Sequence, residues 1–386
     1  MNLFRCSKCL YPNTKPDLYF VDGVCSACIA YENRKNIDWN AKEREFVELV
    51  KSQRGKSHDV IVACSGGKDS TWQIVKCLEL GFRPLAVTAT TDHLSTLGRK
   101  NLDNISRLCD HVEVTPNKTI RNRIARFALE EIGDISWCEH QLIWSIPARE
   151  SVGRGIPLVL YGECPQNEYG AGPRGSEGQE RLTDEWVHEF GGLLGLRLDD
   201  ISDILNIPSR DLDIYRRPEG VSAVFMGAYF EWDGWRNYLV AAQHGFTGYE
   251  GRPGPGGGHI EGSLYGYENL DNLQTGLHDF TRWLKFGYSR ACDIASNRIR
   301  RGHKTREYAA QQVQWAEANW PNTYLGVPYA DILAPLGLSE MQFYRLCERF
   351  TNKPVCEWAS KPESFHACSG TNTDASKAEA STSRAA

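Results

Sequence analysis

From His58 onward, short apolar runs alternate with segments whose apolar residues recur every three or four positions. Runs at about 59–63, 84–90, 111–115 and 157–162 have the length of buried strands. Between them, about 70–80, 98–108 and 118–132 carry helical spacing. A further helical segment near 139–153 is expected to be interrupted by Pro147, which has no N–H to donate. Strands alternating with helices predict an α/β fold with a parallel, doubly wound sheet over 36–170. Ahead of the first strand, Trp39 to Lys51 has the spacing of an amphipathic helix. Beyond 170 the pattern weakens. Residues 171–268 are rich in glycine and aromatics, including Pro173 to Gly178 and Gly251 to His259, the character of a substrate or lid region. Helices return over 269–366. Leu273, Leu277, Phe280 and Leu284 share a face, Thr305 can cap a helix running to about Trp315, and Ser339-Glu340-Met341-Gln342 is a capping box. The tail, 367–386, has no apolar pattern and is expected to be disordered.

The periodicity gives one local stretch special meaning. Ser65-Gly66-Gly67-Lys68-Asp69-Ser70 lies between the apolar run Val60-Ile61-Val62-Ala63 and a helical segment beginning at Thr71. Strand, glycine turn and helix start together make an anion cradle, because the turn lets the backbone approach a phosphate and the first helical N–H groups point at it. A Walker A loop would place Ser or Thr directly after the lysine, whereas Asp69 intervenes. Ligands of doubly wound sheets sit outside the carboxyl ends of the strands. That rule adds Thr88, Ala89, Gly162 and Glu163 to the same crevice. The hexapeptide resembles the PP-loop of the ATP pyrophosphatases (adenine nucleotide alpha hydrolase-like), which split ATP between the α and β phosphates. The resemblance implies ATP bound by Ser65, Gly66, Gly67, Lys68, Asp69, Ser70, Thr88, Ala89 and Gly162. It also implies Mg²⁺, which favours carboxylate oxygens and water. In related amide-forming enzymes an acid after this strand binds that ion. Glu168 resembles it by position, with Asp69 as the second ligand and Glu163 as the alternative.

Cysteine spacing marks a second centre. Cys6-x2-Cys9 and Cys25-x2-Cys28 are two knuckles fifteen residues apart, the arrangement of a four-thiolate structural Zn²⁺ site within a 1–35 module. The other cysteines of the thirteen include Cys64, Cys77 and Cys109 inside apolar segments, which points to reduced thiols and a cytoplasmic protein. Hydrophobic residues make up 41% and charged residues 24%, ordinary for a globular enzyme. No apolar run is long enough to span a bilayer, and the N-terminus lacks a signal-peptide pattern. With 44 basic against 49 acidic residues, nothing pulls the whole chain toward nucleic acid.

A closer resemblance rests on several stretches together. They are the knuckles with Pro12-Asn13-Thr14-Lys15-Pro16 and Ile37-Asp38-Trp39, the glycine loop, Leu97 to Leu102, Gly162-Glu163 with Glu168-Tyr169-Gly170, Lys285 to Ala291, and Ile299-Arg300-Arg301-Gly302. These resemble the N-acetyl sugar amidotransferases and extend over nearly the whole chain except the tail. Two departures bear on sugar specificity: Glu139 stands where a second cysteine is expected, and Tyr265 to Asn272 lacks a basic residue. The resemblance implies that the N-acetyl carbonyl oxygen of a nucleotide-linked sugar is adenylylated and ammonia then displaces AMP to leave an acetamidino sugar. Lys68, Asp69 and Glu163 would be catalytic, and Glu168, Tyr169, Lys285, Arg290 and Arg300 would bind substrate. A separate glutaminase and a cyclase-like barrel protein are the implied partners, in the synthesis of a bacterial surface polysaccharide such as lipopolysaccharide O-antigen. Two other classes share some of these features. One is a tRNA-modifying PP-loop enzyme, which would draw on Cys138 and Cys164. The other is a non-catalytic adenine-nucleotide sensor, against which the intact Lys68, Asp69 and Ser70 argue.

Overall fold

The computed structural model describes residues 2–91, 93–172, 180–249 and 260–366. Five parallel strands form the central sheet: β1 (Val60–Ala63), β2 (Pro84–Ala89), β3 (Asp110–Val114), β4 (Leu158–Tyr161) and β5 (Ser222–Phe225). Their order is β3-β2-β1-β4-β5, and every pairing is parallel. Chain direction along the sheet therefore reverses between β1 and β4, which opens a crevice at their carboxyl ends. The first four strands fall where the apolar runs predict them. β5 is drawn from the stretch expected to be a lid. Its four residues, Ser-Ala-Val-Phe, are too few to set up a periodic signal, yet three of them are buried.

Helices fill the connections: Lys68–Glu79, Thr96–Leu108, Lys118–Ile132 and Trp137–Arg154. The last of these contradicts the expected interruption, because it runs unbroken through Pro147. Proline leaves the carbonyl of Ile143, four residues earlier, without its helical donor. The Tyr161 hydroxyl at the end of β4 supplies one, donating to Ile143 O at 3.2 Å. Tertiary hydrogen bonding thus replaces the local bond.

The helices foreseen toward the C-terminus are present. Thr305 caps Arg306–Ala316, and Ser339 with Gln342 forms both halves of a capping box on Glu340–Phe350. Leu277 and Leu284 of the helix Thr275–Phe286 are buried. A further helix, Arg290–Arg300, lies between these. It packs against the N-terminal cysteine module, so that Leu10 and Tyr11 share a core with Tyr288, Ala291, Ala295 and Val313. Arg306 donates to Cys9 O at 3.0 Å and Cys6 O at 3.2 Å, fastening the first knuckle to the body. The stretches 173–179, 250–259 and 367–386, including the expected disordered tail, lie outside the described residues. Among the described residues no helix is long and apolar enough to cross a membrane.

Gly66 has φ +78°, and a Cβ there would come within 2.9 Å of Leu102 Cδ2 and 3.1 Å of Leu102 N. Gly81 has a similar φ of +76° but open space around it. Gly66→Ala should therefore lower stability by about 2 kcal/mol or more, and Gly81→Ala by about 1 kcal/mol, in denaturant titrations of the two variants. Equal losses would mean that the approach of Leu102 imposes no constraint.

Candidate functional site

Two elements meet at the reversal point. After β1 the chain turns through Gly66 and enters the helix Lys68–Glu79 at its N-cap, Gly67. Ser70 Oγ and Thr71 Oγ1 donate to Gly67 O at 3.2 and 2.9 Å, fixing the turn. After β4 the chain passes Gly162 and Glu163 into the short helix Pro165–Tyr169. A side chain at Gly162 would meet Gln73 Nε2 at 3.1 Å and Trp232 at 3.2 Å, so glycine permits the close approach of these walls. Between them lies a cavity of about 110 Å³ bordered by Lys68, Asp69, Glu163, Glu168, Tyr169 and Arg290. Six expected site residues thus share one enclosure. Its size suits a phosphate or an acetamido group and falls short of a whole nucleotide.

The opposite wall is one the sequence reading missed. Glu268 accepts from Lys68 Nζ at 2.8 Å, and Asn237 Nδ2 donates to Asp69 Oδ1 at 2.8 Å. Lys68 Nζ also bonds Asp69 Oδ2 at 2.7 Å. Burial works against the Lys68 charge, but Asp69 and Glu268 outweigh it and hold the ammonium above its ordinary range. From the helix Arg290–Arg300 and the residue after it, Arg290, Asp293, Ile294, Asn297, Arg298 and Arg301 line the cavity. That spacing is a single helical face, a signal available in the sequence. Arg300, at the edge of that face beyond Asp293, does not line the cavity. It donates to Glu168 O at 2.5 Å and lies over the Tyr11 ring at 5.3 Å. Lys285 is also outside the cavity, donating to Ile132 O at 3.1 Å. Ser65, Gly66, Gly67, Ser70 and Gly162 frame the loops without lining it, and Thr88 Oγ1 is engaged with Cys64 O at 2.7 Å at the end of β2 beside Ala89.

Glu168 is held on both oxygens. Arg34 pairs with Oε1, and Arg301 donates to Oε2 at 2.5 Å. Burial would raise this carboxyl, but Arg301 and Arg34 prevail and hold it down to about 2. Glu163 differs. Burial and the neighbouring Asp69 charge push its carboxyl up, and its nearest hydroxyl is Tyr169 Oη at 3.5 Å. Four cations (Lys68, Arg290, Arg298, Arg301) and six carboxylates (Asp69, Glu163, Glu168, Asp233, Glu268, Asp293) line the cavity, and from just outside Arg34 pairs with Glu168 and Arg282 with Asp293 at 3.0 Å, which offsets the difference. The Asp69–Glu163 neighbourhood is suited to a divalent cation. At the two predicted departures, Glu139 forms a bidentate pair with Arg121 at 2.6 Å, and Glu268 holds Lys68. Glu139 is thus engaged by the neighbouring helix.

Cys6, Cys9, Cys25 and Cys28 are buried, with all four sulfurs within 4.8 Å of one another. Cys9 and Cys25 sulfurs are 3.6 Å apart, Cys6 and Cys28 3.9 Å. A tetrahedral ion with Zn–S bonds of about 2.3 Å requires roughly 3.8 Å between sulfurs. This donor set could bind zinc. The four thiols are linked: hydrogen bonds from Cys25, Cys28 and Cys9 push the Cys6 thiol down, while the same contacts push Cys25 up. The turn Asp22-Gly23, both with positive φ, joins the two strands of the hairpin that carries Cys25. From Cys25 the helix Ser26–Arg34 runs directly to the Glu168 partner.

The fold and site thus define an open α/β protein with a five-stranded parallel sheet, a glycine turn at its reversal point, and a four-cysteine cluster in its N-terminal segment. Residues 245–368, about a third of the chain, match the family model described as LPS biosynthesis protein WbpG-like, C-terminal domain. No curated protein matches the chain.

The four thiols should carry one Zn²⁺ per chain, measured by elemental analysis. Cys25→Ser should lose the metal and open residues 1–35 to protease; four freely reactive thiols in the native protein would contradict this. The Glu168 clamp should show as acid sensitivity. Its carboxyl is lowered in the folded state from 4.5, so its contribution is complete above about pH 4.5 and disappears as pH falls toward 2. Glu168→Gln should flatten that part of the stability–pH profile and cost about 3 kcal/mol at pH 7, because buried arginines lose their counter-charge.

Proposed function

We propose that this protein is an ATP-dependent, AMP-forming amidotransferase acting on a nucleotide-linked N-acetyl sugar in lipopolysaccharide biosynthesis. One observation supports this most. The stretch similar to a lipopolysaccharide biosynthesis domain supplies Glu268, Arg290, Arg298 and Arg301 to the cavity whose other wall is Lys68, Asp69 and Glu163. Lys68 and Asp69 of the glycine loop and residues of the matched segment therefore face one small enclosure.

In this reading the amide oxygen attacks the α phosphorus of ATP, the bond to pyrophosphate breaks, and an O-adenylyl imidate forms. Ammonia adds to its carbon, AMP leaves with the former carbonyl oxygen, and the product is an acetamidinium. AMP is a far better leaving group than the oxygen of an amide, which is why activation must come first. The N–H groups at the start of Lys68–Glu79, with Lys68, would hold the departing pyrophosphate. Lys68 would exchange Glu268 for phosphate oxygens on binding. Mg²⁺ would be held by Asp69 and Glu163: Glu168 is clamped by two buried guanidinium groups, whereas Asp69 would have to give up Lys68, which the phosphates would draw away. Arg290 and Arg298 remain to meet the sugar-linked phosphates. The nitrogen would come from a separate glutaminase subunit acting with a barrel partner. A tRNA-thiolating role is less well supported: burial pushes the Cys164 thiol up to about 12, and Cys138 is buried with its sulfur against Arg121 O at 3.5 Å.

Incubation with ATP, ¹⁵N-ammonium at elevated pH and a panel of UDP- and CMP-linked N-acetyl sugars should yield AMP, pyrophosphate and a labelled cationic sugar. The unlabelled product is about one dalton lighter than its substrate. Asp69→Asn should reduce pyrophosphate release at least 100-fold while the thermal transition stays in place. Release of ADP and orthophosphate, or label appearing in tRNA, would overturn the reading.

A further inference from the structure

A second, larger cavity of about 310 Å³ lies behind Arg290, walled by the end of the helix Arg306–Ala316, the start of Thr275–Phe286 and the loop around Glu261. Trp283 and Trp320 form its aromatic sides, and Trp315, 62% exposed, stands at its rim. Its charged groups are the carboxylates of Glu261, Asp279 and Glu317. Glu317, 6% exposed, spends Oε1 on the N–H groups of Ser289 and Cys292 at 2.7 and 2.8 Å, while Oε2 has no hydrogen-bond donor. Glu261 accepts from Thr323 Oγ1 at 2.5 Å through Oε1, and its Oε2 likewise has none. Burial pushes the Glu317 carboxyl up to about 7, with the Arg5 charge offsetting only part of that. Two buried carboxylate oxygens without donors, on residues that line a tryptophan-walled space, call for a ligand that donates hydrogen bonds, carries positive charge and presents a face to aromatic rings once either carboxylate turns toward the cavity.

We propose that this cavity is a binding site for a small organic cation, an amidinium or primary ammonium group held by Glu317 and Glu261 and flanked by Trp283 and Trp320. The site is distinct from the first cavity but touches it. Asp279 lines the second cavity and accepts from Arg290 Nε at 3.4 Å, and Arg290 lines the first. A ligand that draws Asp279 away would free Arg290 on the other side.

Benzamidine and phenethylammonium, titrated into the full chain by calorimetry and tryptophan fluorescence, test the two cationic sources. Benzamide and 2-phenylethanol serve as neutral controls of similar shape, and N-acetylglucosamine as a neutral sugar. At least one cation should bind 10-fold or more tightly than its neutral control. Glu317→Gln, which keeps the acceptor at the helix start, should weaken that cation at least 10-fold and leave the neutral compound unchanged. If that variant does not fold, Glu261→Gln carries the same test. Equal binding of cation and control, preference for the neutral sugar, or affinity insensitive to both substitutions would overturn the proposal. None of these readouts depends on ATP turnover.

Discussion

The buried carboxylate of Glu168 is the constraint on which the rest of the site depends. Its two oxygens take guanidinium groups from opposite ends of the chain, Arg34 from the cysteine module and Arg301 from the C-terminal helices. Burying any one of these charges alone would be costly, and only the complete triad is acceptable in the interior. The short helix after β4 is therefore fixed in place, and with it Glu163 and Tyr169. The four-cysteine cluster acquires a role at a distance, because it anchors the helix that delivers Arg34. A metal held by those sulfurs would thus act on the shape of the cavity without lining it.

Charge balance constrains the cavity in a second way. Carboxylates outnumber cations around it, and the lysine of the glycine loop is already committed to Asp69 and Glu268. With Arg34 and Arg282 offsetting that excess from outside, binding an anion would mean bringing a cation or breaking an existing pair. Both belong to a site that rearranges as it fills, in keeping with its small volume.

Much of this was visible in the chain. The four apolar runs, the glycine loop and the cysteine spacing each carry local information, and the structure gathers Lys68, Asp69, Glu163, Glu168, Tyr169 and Arg290 where that information points. What escaped was non-local. β5 is too short to show a period. Pro147 signals a break because the rescuing hydroxyl of Tyr161 comes from another element. Glu268 and Asn237 sit in aromatic and helical segments whose sequence carries no sign of Lys68 or Asp69. Arg301 was recoverable, since the face Arg290-Asp293-Asn297-Arg298-Arg301 follows the helical repeat. Arg300 lies at the edge of the same face, and its engagement with Glu168 O comes from another element and has no local signature.

The triad also sets a timetable. Its members are separated by 134 and 133 residues, so during synthesis Glu168 emerges with Arg34 already made and Arg301 still to come. Until then one carboxylate oxygen and the wall it supports lack their partner. A chain halted between residues 226 and 300 has the complete glycine loop, both cysteine knuckles and all five strands, but not the second guanidinium on Glu168. That wall of the cavity is therefore closed only after every strand of the sheet has been made.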